Sequence, residues 1–189
     1  MESEVTKQQL TKQQLRKRMM QSIKASPAPD EDSVRQRICT SREYNDCKAV
    51  FAYVPLKSEV DITGVVNRAM EDGKQVFLPC EDPGIVALFP EDWKDHLRRC
   101  GNNTMVLDNS CPISIVEKDF IYNDVLVLVP GLAFTDDGAR LGRGAGFYDK
   151  LLNELKADFT SVGICRKTQI LEYIPQQPHD KNVDMVFAF

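Results

Sequence analysis

The fold is decided by a short apolar run in the second half of the chain, Val125-Leu126-Val127-Leu128-Val129, which ends at Pro130. An unbroken apolar run of this length is typical of a strand that is buried on both faces, as strands are in a parallel sheet. A second run has the same character and ends in the same way, Ala49-Val50-Phe51-Ala52-Tyr53-Val54 before Pro55. We therefore predict buried strands at residues 125–129 and 49–54.

Helical segments alternate with strands along the chain. Residues 62–70 carry apolar side chains at helical spacing, and Gly73 occupies the position expected of a helix C-cap. Residues 76–79 are predicted as a strand, which completes a strand-helix-strand unit with a right-handed crossover. Further predictions of this kind are a helix at residues 148–155 and strands at residues 161–165 and 183–187. This alternation predicts an α/β fold with a mainly parallel sheet, formed as a single domain over residues 1–189.

The N-terminal part of the chain is predicted to be helical. A loose apolar stripe among Lys, Arg and Gln residues indicates a helix over residues 5–24, which Pro27 would end. Lys12 and Arg16 lie four residues apart, so the two positive charges share one face of this helix. A second helix is expected at residues 32–41, because the acidic residues at its start stabilise a helix N-terminus.

Residues 80–123 give weaker patterns. Val86 to Phe89 is predicted as a strand and Asp92 to Arg99 as one or two helical turns. Residues 101–114 are predicted to be mostly irregular. The chain contains no internal repeat and no low-complexity tract.

Composition and charge argue against several classes of partner. The formal net charge is −4 and the pI is about 5.3, which opposes broad attraction to nucleic acid or anionic membranes. No stretch approaches the roughly 20 apolar residues that cross a bilayer, so we expect a soluble, cytoplasmic protein with a small anionic ligand. The six cysteines are scattered, without a CxxC pair, and we expect reduced thiols rather than a metal cluster.

The segment that carries chemistry is Arg140-Leu141-Gly142-Arg143-Gly144-Ala145-Gly146-Phe147-Tyr148-Asp149, called the glycine loop below. Glycine at every second position lets backbone N–H groups converge on an anion, and the helix that follows directs its partial positive charge at the same point. The GxGxG pattern alone is also compatible with a tight turn used for packing. Two arginines and a terminal carboxylate are not needed in such a turn, so the loop favours phosphate binding.

The glycine loop, together with residues 129–134 and Asp137-Gly138, resembles the signature of the 5-formyltetrahydrofolate cyclo-ligases, also called methenyltetrahydrofolate synthetases. Further matching pieces occur in the expected order: Lys12 and Arg16, residues 55–59, Gln169-Ile170, His179-Asp180 and Val183-Asp184. The resemblance implies a three-layer α/β/α Rossmann-like sandwich, of the kind found in ribose-5-phosphate isomerase and glucosamine-6-phosphate deaminase. It also implies cyclisation of 5-formyltetrahydrofolate to 5,10-methenyltetrahydrofolate, with ATP and Mg2+ required.

The resemblance assigns roles to individual residues. The implied nucleotide contacts are Lys12, Arg16, Arg140, Leu141, Gly142, Arg143, Gly144, Ala145, Gly146, Phe147 and Tyr148. The implied folate contacts are Val54, Glu59, Arg143, Gly144, Ala145, Gly146 and Phe147. Catalytic roles fall to Arg140, Arg143 and Tyr148, and the implied Mg2+ ligands are Asp149 and Asp184. We expect a monomer without nucleic-acid or membrane partners.

Several of these residues also have an ordinary structural explanation, and for Asp184 it is a solvent-exposed residue at the end of a strand. Lys12 and Arg16 are typical of a solvated helix face, Glu59 of a loop, and Asp149 of the first turn of a helix. His179 is expected to be a structural loop residue rather than a general base. The sequence also departs from the family at Ala145, where many members carry Lys, and at Cys80, where a basic residue often follows the proline.

Two other functions are compatible with parts of the sequence. One is a diverged, non-catalytic member of the same fold that binds a nucleotide or another phosphorylated ligand. The other is a phosphosugar isomerase or deaminase, although the loops offer no convincing pair of a catalytic acid and a histidine. The cyclo-ligase consumes ATP during its reaction, whereas neither of these two alternatives does, so ATP turnover distinguishes them.

Overall fold

A mainly parallel sheet forms the centre of the molecule. The structure is a computed structural model that describes residues 10–79, 85–87, 97–100, 104–107, 114–115, 123–155 and 158–189. Within these ranges the strands are β1 (Ala49–Phe51), β2 (Gln75–Pro79), β3 (Ile85–Ala87), β4 (Leu97–Cys100), β5 (Thr104–Leu107), β6 (Ser114–Ile115), β7 (Val125–Pro130), β8 (Ala133–Phe134), β9 (Arg140–Leu141), β10 (Phe159–Cys165) and β11 (Met185–Ala188). The helices are α1 (Lys12–Ala25), α2 (Glu31–Cys39), α3 (Arg42–Asp46), α4 (Thr63–Glu71) and α5 (Phe147–Glu154), with a 3-10 turn at Lys167–Gln169.

The strand order of the central sheet is β11-β10-β7-β1-β2-β3-β6. The pairs from β11 through β2 are all parallel, whereas β3 pairs antiparallel with both β2 and β6. Two short antiparallel hairpins, β4-β5 and β8-β9, lie outside this sheet. The predicted α/β fold with a mainly parallel sheet is confirmed.

The two faces of the sheet bury separate apolar clusters. Along β7, Leu126 and Leu128 pack with residues of α2 and α4, whereas Val127 and Val129 pack with residues of α5 on the opposite face. Because successive side chains of a strand point to opposite faces, a strand covered on both sides must be apolar throughout. The unbroken run at residues 125–129 therefore follows from the layered architecture.

A third apolar cluster holds α1 against the segment that follows β7. Leu15, Met19 and Ile23 share one face of this helix and pack with Leu132 and Leu141. Thr11 caps the helix start through a reciprocal pair of hydrogen bonds with the Gln14 side chain and backbone. Lys12 and Arg16 lie on the same side of α1, at the edge of this apolar stripe, so the packing holds both residues beside the glycine loop.

Several predicted boundaries require correction. Residues 97–99 were predicted as helical but belong to strand β4, because pairing with β5 overrides a weak local pattern. The rest of that predicted helix, residues 92–96, lies outside the described residues, as do residues 5–9 of the first helix. Strand β1 ends at Phe51 rather than residue 54, and the last strand begins at Met185 rather than Val183. Helices α1, α2, α4 and α5 were predicted, with ends that differ by a few residues, while α3 and the β8-β9 hairpin were not. Among the described residues, none of the helices combines the length and apolar character required to span a membrane.

Candidate active site

A cleft of about 220 Å³ opens where the central parallel strands end. After β1, the chain leaves the sheet and contributes Tyr53 and Val54 to the wall; Pro130 and Gly131 contribute at the end of β7. Ligands of parallel α/β sheets bind in this position, because the loops at the carboxyl ends of the strands diverge there. The glycine loop and α1 form the remaining walls in the described part of the chain.

The glycine loop lines the cleft with backbone amides that have no partner in the described residues. Gly144 has φ 104°, a left-handed conformation that a residue with a Cβ adopts only under strain. In the described residues, no hydrogen-bond acceptor pairs with the N–H groups of residues 143–146. Helix α5 begins directly afterwards at Phe147, which directs the positive end of its dipole toward the same place. Unpaired amides and a helix N-terminus are the features with which proteins commonly bind anions.

Arg140 supports the glycine loop from below. Its side chain is only 4% exposed, and Nη2 donates to Asp149 Oδ2 at 2.9 Å. A Cβ placed on Gly142 would lie 2.7 Å from Arg140 Nη1, so the backbone passes directly over the guanidinium. The guanidinium carbon also lies 5.7 Å from the centre of the Tyr148 ring. Arg140 therefore supplies buried positive charge beneath the loop and neutralises Asp149.

Arg143 reaches from the glycine loop to the segment after β1. Its Nε donates to Glu59 Oε1 at 3.1 Å and its Nη2 donates to Ser58 Oγ at 2.7 Å. The second Glu59 oxygen accepts the Leu56 N–H at 3.0 Å. Glu59, which was predicted to contact folate, is thus fixed through both oxygens and remains 10% exposed toward the cleft.

Helix α1 contributes two cations that differ in their partners. Lys12 donates to the carboxylate of Asp180, which also accepts the Gln177 N–H at 2.5 Å. Arg16 Nε donates to the Gly142 carbonyl oxygen at 3.0 Å, and no carboxylate among the described residues pairs with it. Arg16 therefore keeps an uncompensated positive charge beside the loop amides, where an anionic ligand would bind.

The described structure places Asp184 away from the cleft. Asp184 precedes β11 at the amino end of that strand, where its carboxylate accepts hydrogen bonds from the Ser161 N–H and hydroxyl at 2.7 and 2.6 Å. Because the cleft lies at the carboxyl ends of the parallel strands, an aspartate at the amino end of β11 does not line it. Asp149 lines the described cleft and Asp184 does not, and their pairing as Mg2+ ligands stays a prediction.

Asp180 is a second aspartate beside Asp149 in the described cleft. It lines the cleft, and the N–H of the next residue, Lys181, donates to Asp149 Oδ1 at 3.2 Å. Burial alone would raise the pKa of Asp180, but hydrogen bonds from Lys12 and from the Gln177 N–H outweigh it and leave the pKa lowered. The sequence signal for this residue was its place in the His179-Asp180 pair, four positions before Asp184.

Tyr148 is held as a neutral phenol. Burial raises its pKa well above the usual range, the nearby charge of Glu59 raises it further, and Arg140 opposes this only in part. Its ring meets Phe147 edge to face, with centroids 5.1 Å apart. At neutral pH, Tyr148 can therefore donate a proton in a hydrogen bond but cannot serve as a base.

The cysteines and histidines of the described residues form no metal centre. No group of three or more His, Cys, Asp or Glu side chains is arranged to hold a metal ion in the described ranges. Cys39, Cys47 and Cys165 are free thiols. Burial raises the pKa of Cys165 to about 12, so this thiol stays protonated at neutral pH.

With the exception of Asp184, every residue predicted for the site lines one cleft. Sequence reasoning did not assign roles to other lining residues, which include Tyr53, Leu56, Gln177 and Asp180. Fold and cleft together define an α/β protein that presents a glycine-rich anion site and a fixed carboxylate at the carboxyl edge of a parallel sheet. Such a site can bind a phosphorylated ligand and a second, hydrogen-bonding ligand side by side.

Comparison with known proteins places this arrangement in a family. The sequence model of the 5-formyltetrahydrofolate cyclo-ligase family matches residues 4–188, and the chain belongs to this family. The chain is 33% identical over 138 residues to a 5-formyltetrahydrofolate cyclo-ligase of Mycolicibacterium smegmatis, which covers 70% of this chain and 69% of the relative. It is 31% identical over 178 residues to the Saccharomyces cerevisiae enzyme of that name, with 84% of each chain covered.

A solved structure supports the same relationship. The 5,10-methenyltetrahydrofolate synthetase of Aquifex aeolicus superimposes with a TM-score of 0.67 at 26% identity. The superposition covers 94% of this chain and 89% of that one. The shared architecture therefore extends over nearly the whole length of both proteins.

Proposed function

We propose that this chain uses ATP to convert 5-formyltetrahydrofolate to 5,10-methenyltetrahydrofolate, releasing ADP and phosphate. The formyl oxygen attacks the γ-phosphorus of ATP, the bond to the bridging oxygen breaks, and ADP leaves. Nitrogen 10 of the folate then attacks the activated formyl carbon and gives up its proton, and phosphate leaves with the former formyl oxygen, which leaves the methenyl bridge. The first step needs both substrates in contact, whereas the second takes place within the folate. The names of the relatives give the folate substrate and the methenyl product of those proteins.

The nucleotide side of the proposal rests on the loop amides and Arg16. The unpaired N–H groups of residues 143–146 and the N-terminus of α5 suit the β- and γ-phosphates. Arg16 supplies a charge with no carboxylate partner in the described residues, and Lys12 supplies a second once a phosphate competes with Asp180. Preorganised donors of this kind stabilise charge on a transferring phosphoryl group without reorganisation.

The folate side of the proposal rests on Glu59. Each of its oxygens already accepts one hydrogen bond, from Arg143 or from the Leu56 N–H, so the carboxylate has a fixed orientation. A carboxylate oxygen can accept a second hydrogen bond, and the amino and amide hydrogens of a pterin ring are suitable donors. Val54 and Phe147 also line the cleft and can offer apolar contact to the ring.

The donor set also fits Mg2+. This ion commonly takes one or two carboxylates together with waters and phosphate oxygens. Asp149 and Asp180 are the aspartates of the described cleft, and they are linked through the Lys181 N–H. We propose these two as the ligands in place of Asp149 and Asp184. When bound, the ion would neutralise charge on the β- and γ-phosphates.

The observation that carries the proposal is the presence of the anion site and Glu59 on adjoining walls, joined by Arg143. The test is ADP release from ATP and Mg2+ in the presence of 5-formyltetrahydrofolate, with 5-methyltetrahydrofolate as control, because the methyl group has no oxygen to phosphorylate. We expect folate-dependent ADP only with the formyl compound. A non-catalytic, nucleotide-binding member of the family would bind ATP and release no ADP with either compound.

The loop amides and Glu59, on which the proposal rests, belong to the same chain, and we propose that a monomer is sufficient for activity. Sedimentation of the active protein should give the mass of one chain, 21.4 kDa. Activity found only in a larger species would contradict this.

A further inference from the structure

Arg143 is the side chain that joins the two halves of the cleft. Its three guanidinium nitrogens each have a partner: Nε contacts Glu59, Nη2 contacts Ser58, and Nη1 lies 3.6 Å from Met20 Sδ. Its backbone, by contrast, belongs to the glycine loop, which lines the cleft. One residue therefore connects the proposed phosphate site to the proposed folate site.

The segment that receives Arg143 is itself well fixed. The Tyr53 hydroxyl donates to the Val60 carbonyl oxygen at 2.7 Å, and the Glu59 N–H donates to the Leu56 carbonyl oxygen at 2.8 Å. Tyr53 is buried, so this hydrogen bond is shielded from water. The segment between β1 and α4 is thus a firm support, and Ser58 is the hydroxyl on it that holds the far end of the guanidinium.

The glycine loop is less firmly held. Its backbone contact to α1 is the Arg16 hydrogen bond to the Gly142 carbonyl, and N–H groups 143–146 have no acceptors in the described chain. A glycine-rich segment loses more conformational freedom on ordering than other sequences. A ligand that needs the loop ordered must therefore supply that free energy, unless another contact has already ordered it.

We propose that Ser58 is a positioning residue that holds Arg143 against Glu59, so that folate and nucleotide bind cooperatively. A folate that hydrogen-bonds to the remaining acceptor positions of Glu59 holds the carboxylate more firmly against Arg143 and so orders the glycine loop further. The nucleotide then meets a loop that is already ordered and binds more tightly. By linkage, the nucleotide strengthens folate binding by the same factor. This inference rests on the proposed function, since it assumes both substrates.

The test measures the Kd of the β,γ-imido analogue of ATP with Mg2+ by calorimetry, in the absence and presence of saturating 5-formyltetrahydrofolate. In the wild type, we expect folate to lower the Kd by about tenfold, within the usual range of coupling between sites. In Ser58→Ala, this factor should fall below about twofold. Ser58→Thr retains the hydroxyl and should retain most of the coupling.

One control variant and one further test variant separate this role from a general loss of stability. The control is Ser33→Ala on α2, which removes a hydroxyl that donates to the Asp30 carboxylate. This variant should leave the coupling factor unchanged. Arg143→Lys keeps the charge but cannot span Ser58 and Glu59, and should abolish coupling. Wild-type protein that binds both ligands independently would overturn the inference and leave the proposed function standing, as would full coupling in Ser58→Ala. Failure of the wild type to bind either ligand would overturn both.

Discussion

Replacing Asp149 by Asn removes the negative partner of a buried arginine. The Arg140 side chain is 4% exposed and the Asp149 side chain 20% exposed, and Nη2 and Oδ2 lie 2.9 Å apart. Removing one partner of a fully buried pair costs about 3–5 kcal/mol, because the remaining charge is left without compensation. Asp149 is partly solvated and Asn can still accept the hydrogen bond, so we expect a smaller loss of about 2 kcal/mol.

Thermal unfolding measures this loss. For a chain of this size, about 2 kcal/mol corresponds to a melting temperature lowered by about 4–8 °C. The matched control is Asp46→Asn, which breaks a pair with Arg42 whose side chains are 88% and 68% exposed. Exposed pairs contribute about 0–1 kcal/mol, so the control should melt within about 2–4 °C of the wild type. If Asp149→Asn had the same melting temperature as the control variant, the dependence of Arg140 on this charge would be refuted.

Three further predictions follow from individual contacts. Arg16→Ala should raise the KM for ATP about tenfold or more, because a charge-assisted hydrogen bond is worth about 1.5–3 kcal/mol, whereas Arg18→Ala, on the exposed face of α1, should not. The pKa of Asp180 is lowered in the folded protein, so its ionised carboxylate stabilises the fold at pH values above the ordinary carboxyl pKa. This stabilisation is lost as the pH falls through the lower pKa of the folded state. The urea concentration at the unfolding midpoint should therefore drop more steeply between about pH 5 and 3 in the wild type than in Asp180→Asn. Cys165, buried and with its pKa raised to about 12, should resist iodoacetamide at pH 8 until the protein unfolds, as read by peptide mass; rapid native labelling would contradict its burial.

The central strands could be predicted because their local pattern and their environment agree. Residues 125–129 are apolar at every position, and both faces of β7 are covered in the structure. The second run was predicted too long, because Tyr53 and Val54 are apolar for another reason: they leave the sheet and line the cleft. A run of apolar residues reports burial, and burial does not distinguish a strand from the wall of a site.

The contacts of the site could not be predicted, because they join residues distant in sequence. Arg143 and Glu59 are 84 positions apart, and Lys12 and Asp180 are 168 positions apart. The pattern of the glycine loop indicated an anion site, but did not indicate that its arginines would be paired with the carboxylates assigned to folate and metal. The short β8-β9 hairpin, which places Arg140 beneath the loop, is too short to show any periodicity.

The choice between Asp180 and Asp184 shows what topology adds to a motif. Both aspartates lie near the end of the sequence, and a pattern alone does not rank them. Strand β11 begins at Met185 and runs parallel to β10, so Asp184 is at the amino edge of the sheet while Asp180 is still in the loop that lines the cleft. The direction of one edge strand therefore separates the two carboxylates, with Asp180 in the wall of the described cleft and Asp184 at the opposite edge of the sheet.

The proposed cyclo-ligase activity is tested most directly by the near-ultraviolet absorbance of the methenyl product. The purified chain is incubated with 5-formyltetrahydrofolate, ATP and Mg2+, and the absorbance is followed against reactions that lack one component. We predict a rise only in the complete reaction, with one ADP formed for each methenyl group. A folded protein that gives no rise at any enzyme concentration, or a rise without ADP, would contradict the proposed reaction.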